Sequence, residues 1–193
     1  MKKILLSVFA AFICIALFSK VSTAEVTMTF FINDYKPKIA LTNQNEYSGK
    51  KMMLDSIIIE ASGYSPIVYT YQSDDGKITY NMGSRLSSHL WYYLRKSFES
   101  VGLTVKEPAT GVNIPQVTIT ILSFSDSEAK FTVNLILNGN DLFEKEYLVK
   151  TNPLPPYYYM SDIELRAYGQ FDAMASAFLN DPGFKKAFLT KKK

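Results

Sequence analysis

The stretch that decides the fold is VTITILSFSDSEAKFTVNLILNGNDLFEKEYLV, residues 117–149. Apolar and polar side chains alternate in it over three segments, and the tracts between them are rich in Ser, Asn, Asp and Gly. The segments are Val117–Phe124, Lys130–Leu137 and Leu142–Lys150. Alternation with a period of two is typical of strands with one buried face, and the intervening residues favour turns. The stretch therefore predicts an antiparallel meander with one covered face.

Four shorter runs upstream also have strand composition, since they are rich in β-branched and aromatic residues. They are Val26–Ile32, Met52–Ala61, Ile67–Gln72 and Ile78–Tyr80. Asp74, Asp75 and Gly76 separate the last two, and an Asp-Gly pair favours a hairpin turn. The polar connection from Thr42 to Lys51 is predicted to be a surface loop.

The remaining apolar patterns have a helical period. Leucines, aromatics and Val101 recur every three or four residues and predict a helix from about Ser84 to Ser100, which Gly102 ends in a left-handed conformation. A capping box over 161–164 begins a second helix, and Asp181-Pro182 begins a short third one. The predicted fold class is α+β, an antiparallel sheet with two long amphipathic helices packed on one face.

The N-terminus has the three parts of a secretory signal peptide. Lys2 and Lys3 precede an apolar run over 4–18, and Ser22 and Ala24 are the small residues of a cleavage site before Glu25. The alternative is a retained anchor, but the run is shorter than the roughly 20 residues that span a bilayer. We therefore predict a signal peptide over 1–24 and one periplasmic α+β domain over 25–193.

Removal of this segment would change the chemistry of the chain. Lys2, Lys3 and Lys20 lie in the predicted signal peptide, which contains no acidic residue. Their three charges account for the whole formal net charge of +3. The mature chain is then neutral, which argues against a nucleic-acid partner. Cys14 is the single cysteine and lies inside the apolar run behind bulky residues, so it is not the Cys of a lipobox. We expect neither lipidation nor a disulfide.

Residue types with catalytic chemistry are sparse. His89 is the single histidine, and the sequence has no nucleophile elbow, phosphate loop or zinc signature. Glu144 and Glu146 lie on one face of a predicted strand, where they are either solvent-facing or a carboxylate pair for hydrolysis. We expect no enzyme activity, no metal and no cofactor.

Aromatic residues are in excess, with 13 Tyr and 13 Phe. Most of this excess can serve core packing, but two groups stand apart from the helix stripes, Trp91-Tyr92 and Tyr157-Tyr158-Tyr159. Because Tyr and Trp combine an apolar body with a polar tip, they favour interfaces. Trp91, Tyr92, Tyr157, Tyr158 and Tyr159 are therefore predicted contacts for a protein, glycan or lipid of the envelope.

Lysines are concentrated near the C-terminus. They are Lys185, Lys186, Lys191, Lys192 and Lys193. Such a tail is either a solvated end or a peripheral contact with anionic lipid headgroups.

Three stretches together resemble YajG-like envelope lipoproteins. They are the helix-Gly-strand unit from Arg85-Leu86-Ser87-Ser88-His89-Leu90 to Val101-Gly102-Leu103-Thr104-Val105, the meander over 117–149, and Ala177-Phe178-Leu179-Asn180-Asp181-Pro182-Gly183-Phe184. The pattern is also similar to the LptE outer-membrane assembly factor and to auxiliary lipoproteins of envelope transporters. The resemblance implies a non-enzymatic envelope accessory protein, here without a lipobox.

These observations give three functional hypotheses. The first is a periplasmic accessory or binding protein in outer-envelope assembly or transport. The second is a structural subunit of an envelope machine, such as a secretion or flagellar collar. The third, a hydrolase, requires Glu144 and Glu146 to face a cleft.

Overall fold

A computed structural model describes residues 24–27, 35–43, 45–60, 67–73, 76–81, 86–109, 113–124, 128–151 and 160–189. Eight strands and three helices follow one another in these ranges. They are β1 (Ala24–Thr27), β2 (Lys51–Ile59), β3 (Ile67–Ser73), β4 (Gly76–Asn81), α1 (Leu86–Ser100), β5 (Thr104–Lys106), β6 (Gln116–Phe124), β7 (Glu128–Leu137), β8 (Asn140–Lys150), α2 (Met160–Leu179) and α3 (Pro182–Leu189). The α+β class is confirmed. Residues 1–23 of the predicted signal peptide lie outside the described residues, and its last residue, Ala24, begins β1.

The larger sheet has five strands in the order β5-β2-β6-β7-β8. Strands β6, β7 and β8 form the predicted antiparallel meander. Strand β2, however, runs parallel to both β5 and β6, so the sheet is mixed and the prediction of a purely antiparallel sheet was wrong. A hairpin and α1 separate β2 from β5, and such a connection is long enough to return the chain in the same direction. Side-chain alternation is the same in both arrangements and could not tell them apart.

The smaller sheet has the order β1-β4-β3. Strands β3 and β4 pair antiparallel, as the predicted hairpin requires, and β1 is parallel to β4. The predicted turn residues Asp74 and Asp75 lie outside the described residues.

One face of the larger sheet packs against the helices. Helix α1 contacts β2 and β5, while α2 and α3 contact β7 and β8. In the central strands β6 and β7, the fully buried large apolar residues are Val117, Ile119, Ile121, Phe131, Val133 and Leu135. Each large apolar side chain buried in this way contributes about 1.5–3 kcal/mol to stability. In the part of the chain that the structure describes, no helix is both long and apolar enough to cross a membrane.

Two helix ends follow the local chemistry that the sequence predicts. Gly102 has a φ of +87°, and the Leu103 amide donates to the Phe98 carbonyl at 3.2 Å, which closes α1. At the start of α3, Asp181 Oδ1 accepts hydrogen bonds from the amides of Gly183 (2.7 Å) and Phe184 (3.1 Å). These contacts fix where α1 returns to the sheet and where α3 begins.

The segment before β2 is more firmly anchored than the predicted surface loop. Tyr47 is fully buried, and its hydroxyl donates to the Leu179 carbonyl at the end of α2. The Asn180 side chain donates to the Ala40 carbonyl at 2.7 Å and accepts from the Thr42 amide at 2.9 Å. Residues 35–50 therefore connect the helices to the sheet. The sequence contained no periodic signal for this arrangement.

Candidate functional site

A shallow, open pocket of about 320 Å³ lies between the first half of α1 and strand β2. Its lining residues are Ile57, Ser87, Ser88, Trp91 and Tyr92. The structure thus places the predicted contact pair Trp91-Tyr92 in one concave surface with a residue of β2. No sequence pattern indicated that Ile57 would lie beside them.

Trp91 is held in place by β2. Its indole Nε1 donates a hydrogen bond to the Leu54 carbonyl at 3.2 Å. The register between β2 and β6 shifts between Leu54 and Ile57, which is a β-bulge with one extra residue in β2. The Leu54 carbonyl lies at the start of this irregularity, so the indole supplies a donor to a backbone group next to the bulge.

Tyr92 is the more accessible member of the pair, with 53% of the residue exposed. Its ring meets the Trp91 ring edge-to-face at a centroid distance of 5.2 Å. The Arg95 guanidinium lies 5.3 Å from the Trp91 ring centroid, and its Nε pairs with Glu99 at 2.9 Å. Trp91 is therefore fixed from two sides, and Tyr92 remains largely exposed beside it.

Strand β2 presents further apolar surface close to this pocket. Ile58 is 44% exposed and Ile59 is 38% exposed. Isolated exposed apolar residues are ordinary, but successive side chains of a strand alternate between its faces, so Ile59 lies on the same face as the pocket residue Ile57, while Ile58 lies on the other face. The pocket, Tyr92 and Ile59 are called the β2–α1 surface below.

Most of the other described aromatic residues serve the core, as the structural interpretation of the excess requires. Tyr93 stacks on Phe171 at 4.6 Å, and Phe98 packs edge-on to Phe178 at 5.6 Å. Phe184 stacks on Phe188 at 5.7 Å. The predicted contacts Tyr157, Tyr158 and Tyr159 lie outside the described residues and remain a prediction.

A buried polar cluster joins the segment before β2 to helices α1 and α2. The sequence did not predict this cluster. The Tyr35 hydroxyl donates to Asp172 Oδ1 at 2.6 Å and lies 2.6 Å from Ser97 Oγ. Burial raises the pKa of Asp172, although the hydrogen bond from Tyr35 opposes that rise. Burial and the neighbouring carboxylate also raise the pKa of Tyr35 well above its usual range. The cluster lies within the packed helices and acts as a structural clamp.

The predicted lysine contacts fall into different environments. Lys185 Nζ pairs with Glu46 Oε1 at 2.7 Å, and both side chains are largely buried. Lys186 is exposed on α3. Lys191, Lys192 and Lys193 lie outside the described residues. Lys185 therefore already has an anionic partner within the chain. Of the two C-terminal lysines that the structure describes, Lys186 is the one that faces solvent.

The candidate catalytic residues are also placed. Glu144 and Glu146 are exposed on β8, and Glu146 Oε1 pairs with Lys130 at 3.0 Å. They do not line the β2–α1 pocket. His89 lies on α1 with its ring stacked on Tyr93 at 6.2 Å. Within the described ranges, no group of three His, Cys, Asp or Glu residues is arranged to hold a metal ion.

Comparison with known proteins relates this chain to others only through its fold. No family model and no curated protein matches this sequence. Among solved structures, the fold is similar to that of a protein of family DUF330. That protein comes from Xanthomonas campestris and is 7% identical to this chain; the match has a TM-score of 0.57 and covers 80% of this chain and 93% of the other. A second structure, titled only as an uncharacterized protein, has 14% identity, a TM-score of 0.49 and coverages of 80% and 97%. At 7% identity, the likeness to the DUF330 protein concerns the fold alone.

Proposed function

We propose that this chain is a non-enzymatic accessory or binding protein of the periplasm, acting in outer-envelope assembly or transport. The observation that carries the proposal is the β2–α1 surface, where exposed Tyr92 adjoins a fixed Trp91 and a shallow pocket. A rigid aromatic pair beside a concavity suits recognition, because little side-chain entropy is lost on binding.

The compartment in this proposal comes from the sequence. The signal peptide predicted over 1–24 would export the chain, and the missing lipobox would leave it without a lipid anchor. The resemblance to YajG-like and LptE-like proteins supports an accessory role in the envelope. In this proposal the partner is an envelope protein or a lipid or glycan component of the envelope. Lys186 and the C-terminal lysines would add a peripheral contact with anionic headgroups.

The experiment has two parts. N-terminal sequencing of the chain recovered from a periplasmic fraction is expected to begin at Glu25. Crosslinking in envelope fractions is then compared between the native chain, Tyr92→Ala and Leu165→Ala. Leu165 is the matched control, because it is an apolar residue 62% exposed on α2, outside the pocket lining. We expect Tyr92→Ala to lose the crosslinked partner and Leu165→Ala to keep it.

The identity of the partner separates the remaining hypotheses. Transporter components, assembly factors or lipid support the accessory role, whereas ring components of a secretion system or flagellum would assign the chain to a structural collar. Recovery of the chain in the cytoplasm with an intact N-terminus would contradict the proposal.

A further inference from the structure

The edge of β2 is only partly covered. Strand β5 pairs with Lys51–Met53, the first three residues of the nine in β2. From Leu54 to Ile59, β2 pairs with β6 on one side and with no described strand on the other. An open strand edge presents unpaired backbone donors and acceptors, which are a template for another strand.

The backbone hydrogen bonds show which groups face this open edge. The Glu60 amide donates to the Ile121 carbonyl of β6 at 3.0 Å. Backbone groups alternate between the two sides of a strand, so Ile58 also faces β6, while Ile57 and Ile59 direct their N–H and C=O groups to the open side. The edge therefore carries two donors and two acceptors at alternate positions.

Trp91 marks where this edge begins. Because β5 has ended, the Leu54 carbonyl on the same side has no strand partner, and the Trp91 indole donates to it instead. The indole thus satisfies the acceptor before the bulge and leaves the groups after it open. Tyr92 and the pocket flank the same stretch.

Two acidic residues lie along this stretch of the chain. Asp55 lies in the bulge and Glu60 is exposed directly after β2. Within the described residues neither carboxylate forms an ion pair. Two cationic side chains, one near each end of an incoming strand, would complement them.

Strand β8, at the opposite side of the sheet, is protected against strand addition. Glu144, Lys145 and Glu146 follow one another along it, and runs of charge discourage strand addition. Lys145 Nζ is also bound to Asp181 Oδ2 at 2.6 Å, which ties β8 to the start of α3. The β2 edge lacks such a run, since Ile57, Ile58 and Ile59 form its open part.

We propose that the open edge of β2 accepts an extended peptide from a partner protein as an added strand. The partner segment has apolar side chains at alternate positions and a Lys or Arg near each end, one facing Asp55 and the other facing Glu60. Its main chain bonds to Ile57 and Ile59, and one apolar side chain enters the pocket beside Tyr92. This deepens the proposed binding function, on which it rests, by naming the class of partner.

The test uses a seven-residue capped peptide of alternating Val and Thr with Lys at both ends, titrated into the purified chain and followed by amide NMR. The Ile57 and Ile59 amides are expected to shift most and to exchange more slowly with solvent. Two peptide controls accompany it. N-methylation of alternate amides is expected to weaken binding at least about tenfold, and Glu in place of Lys about fivefold.

A matched pair of variants isolates the backbone contribution. Ile59→Pro and Ile59→Ala both remove the side chain, but only proline removes the N–H, and it breaks no bond to β6 because that N–H faces the open side. Circular dichroism checks that both variants fold. We expect Ile59→Pro to bind the peptide about tenfold more weakly than Ile59→Ala.

Equal binding of the N-methylated peptide, or equal affinity of the two Ile59 variants, would overturn strand addition and leave a side-chain patch only. Absence of peptide binding would overturn it as well. Self-association that Ile59→Pro abolishes, without peptide binding, would assign the edge to a second copy of the chain and also overturn it. None of these outcomes affects the Tyr92-dependent crosslinking in the periplasm, so failure here is distinct from failure of the proposed function.

Discussion

Substitution of Tyr35 by Phe tests the buried clamp between the N-terminal segment and the two longer helices. The change removes one hydroxyl, which donates to Asp172 at 2.6 Å and contacts Ser97 at 2.6 Å. Ser97 retains its bond to the Tyr93 carbonyl at 3.0 Å. The loss therefore falls mainly on Asp172, a carboxylate that then has one donor fewer in a buried site.

The expected loss of unfolding free energy at pH 7 is about 2 kcal/mol, the magnitude for a hydrogen bond to a charged group. With a urea m-value of about 2 kcal/mol per molar, the unfolding midpoint falls by about 1 M. The assay is urea unfolding followed by circular dichroism. Tyr92→Phe is the control, because Tyr92 is largely exposed, and it should change the free energy by less than about 0.5 kcal/mol.

The pH dependence gives the test its sharpest form. Burial holds the pKa of Asp172 above its ordinary value in the folded chain, so the folded state binds the proton more tightly. Stability from this group therefore falls as pH rises from the ordinary carboxyl pKa to the folded one, and it is level above that. Tyr35→Phe removes a bond that lowers this pKa, so the decline becomes larger and extends to higher pH. A loss below about 0.5 kcal/mol at pH 7, or a loss equal at pH 7 and in acid, would refute the reasoning.

Three further substitutions test local features of the fold by urea unfolding. Gly102→Ala should lower the free energy of unfolding by about 1 kcal/mol more than Gly49→Ala. Both glycines have a positive φ, but only at Gly102 would an added Cβ lie 3.0 Å from another Cα, that of Ser48, so equal losses would contradict this explanation. Asp181→Ala should cost about 1–2 kcal/mol through loss of the α3 cap and of the bond to Lys145. Burial acts to raise the pKa of Asp181, but hydrogen bonds from Lys145 and the α3 amides hold this pKa below its ordinary value. The stabilisation by Asp181 is therefore present above the ordinary carboxyl pKa and disappears as pH falls through the folded pKa. If Asp181→Ala still had its full cost in strong acid, the cap and the bond to Lys145 would not be its cause. Trp91→Phe should cost about 1 kcal/mol, because a β2 carbonyl loses its donor, and no change in the free energy would mean that water replaces the indole.

Much of the local structure could be predicted from residue types and spacing. The strands of the meander, helix α1 and the two helix-end signals at Gly102 and Asp181 depend on neighbours within a few residues, and the structure confirms them. The sequence also singled out Trp91 and Tyr92 because they stand apart from the apolar stripe of α1. Tyr157–Tyr159 and the signal peptide remain predictions.

Long-range pairing could not be predicted in this way. The direction of β2 beside β6 decides that the sheet is mixed, and the shortness of β5 leaves part of β2 open. Alternation along β2 is the same whichever neighbour it pairs with, and the two ends of each such contact are far apart in sequence.

The sequence by itself determined the α+β class, the positions of most elements and a pair of aromatic residues off the apolar stripe of α1. Only the tertiary structure decided that Trp91 meets a carbonyl 37 residues away, and that Tyr35 reaches Asp172 across 137 residues. Helix ends and strand alternation depend on backbone geometry and side-chain spacing within a few consecutive residues. Contacts of this kind depend on how whole elements pack, and the same local pattern is compatible with many such packings.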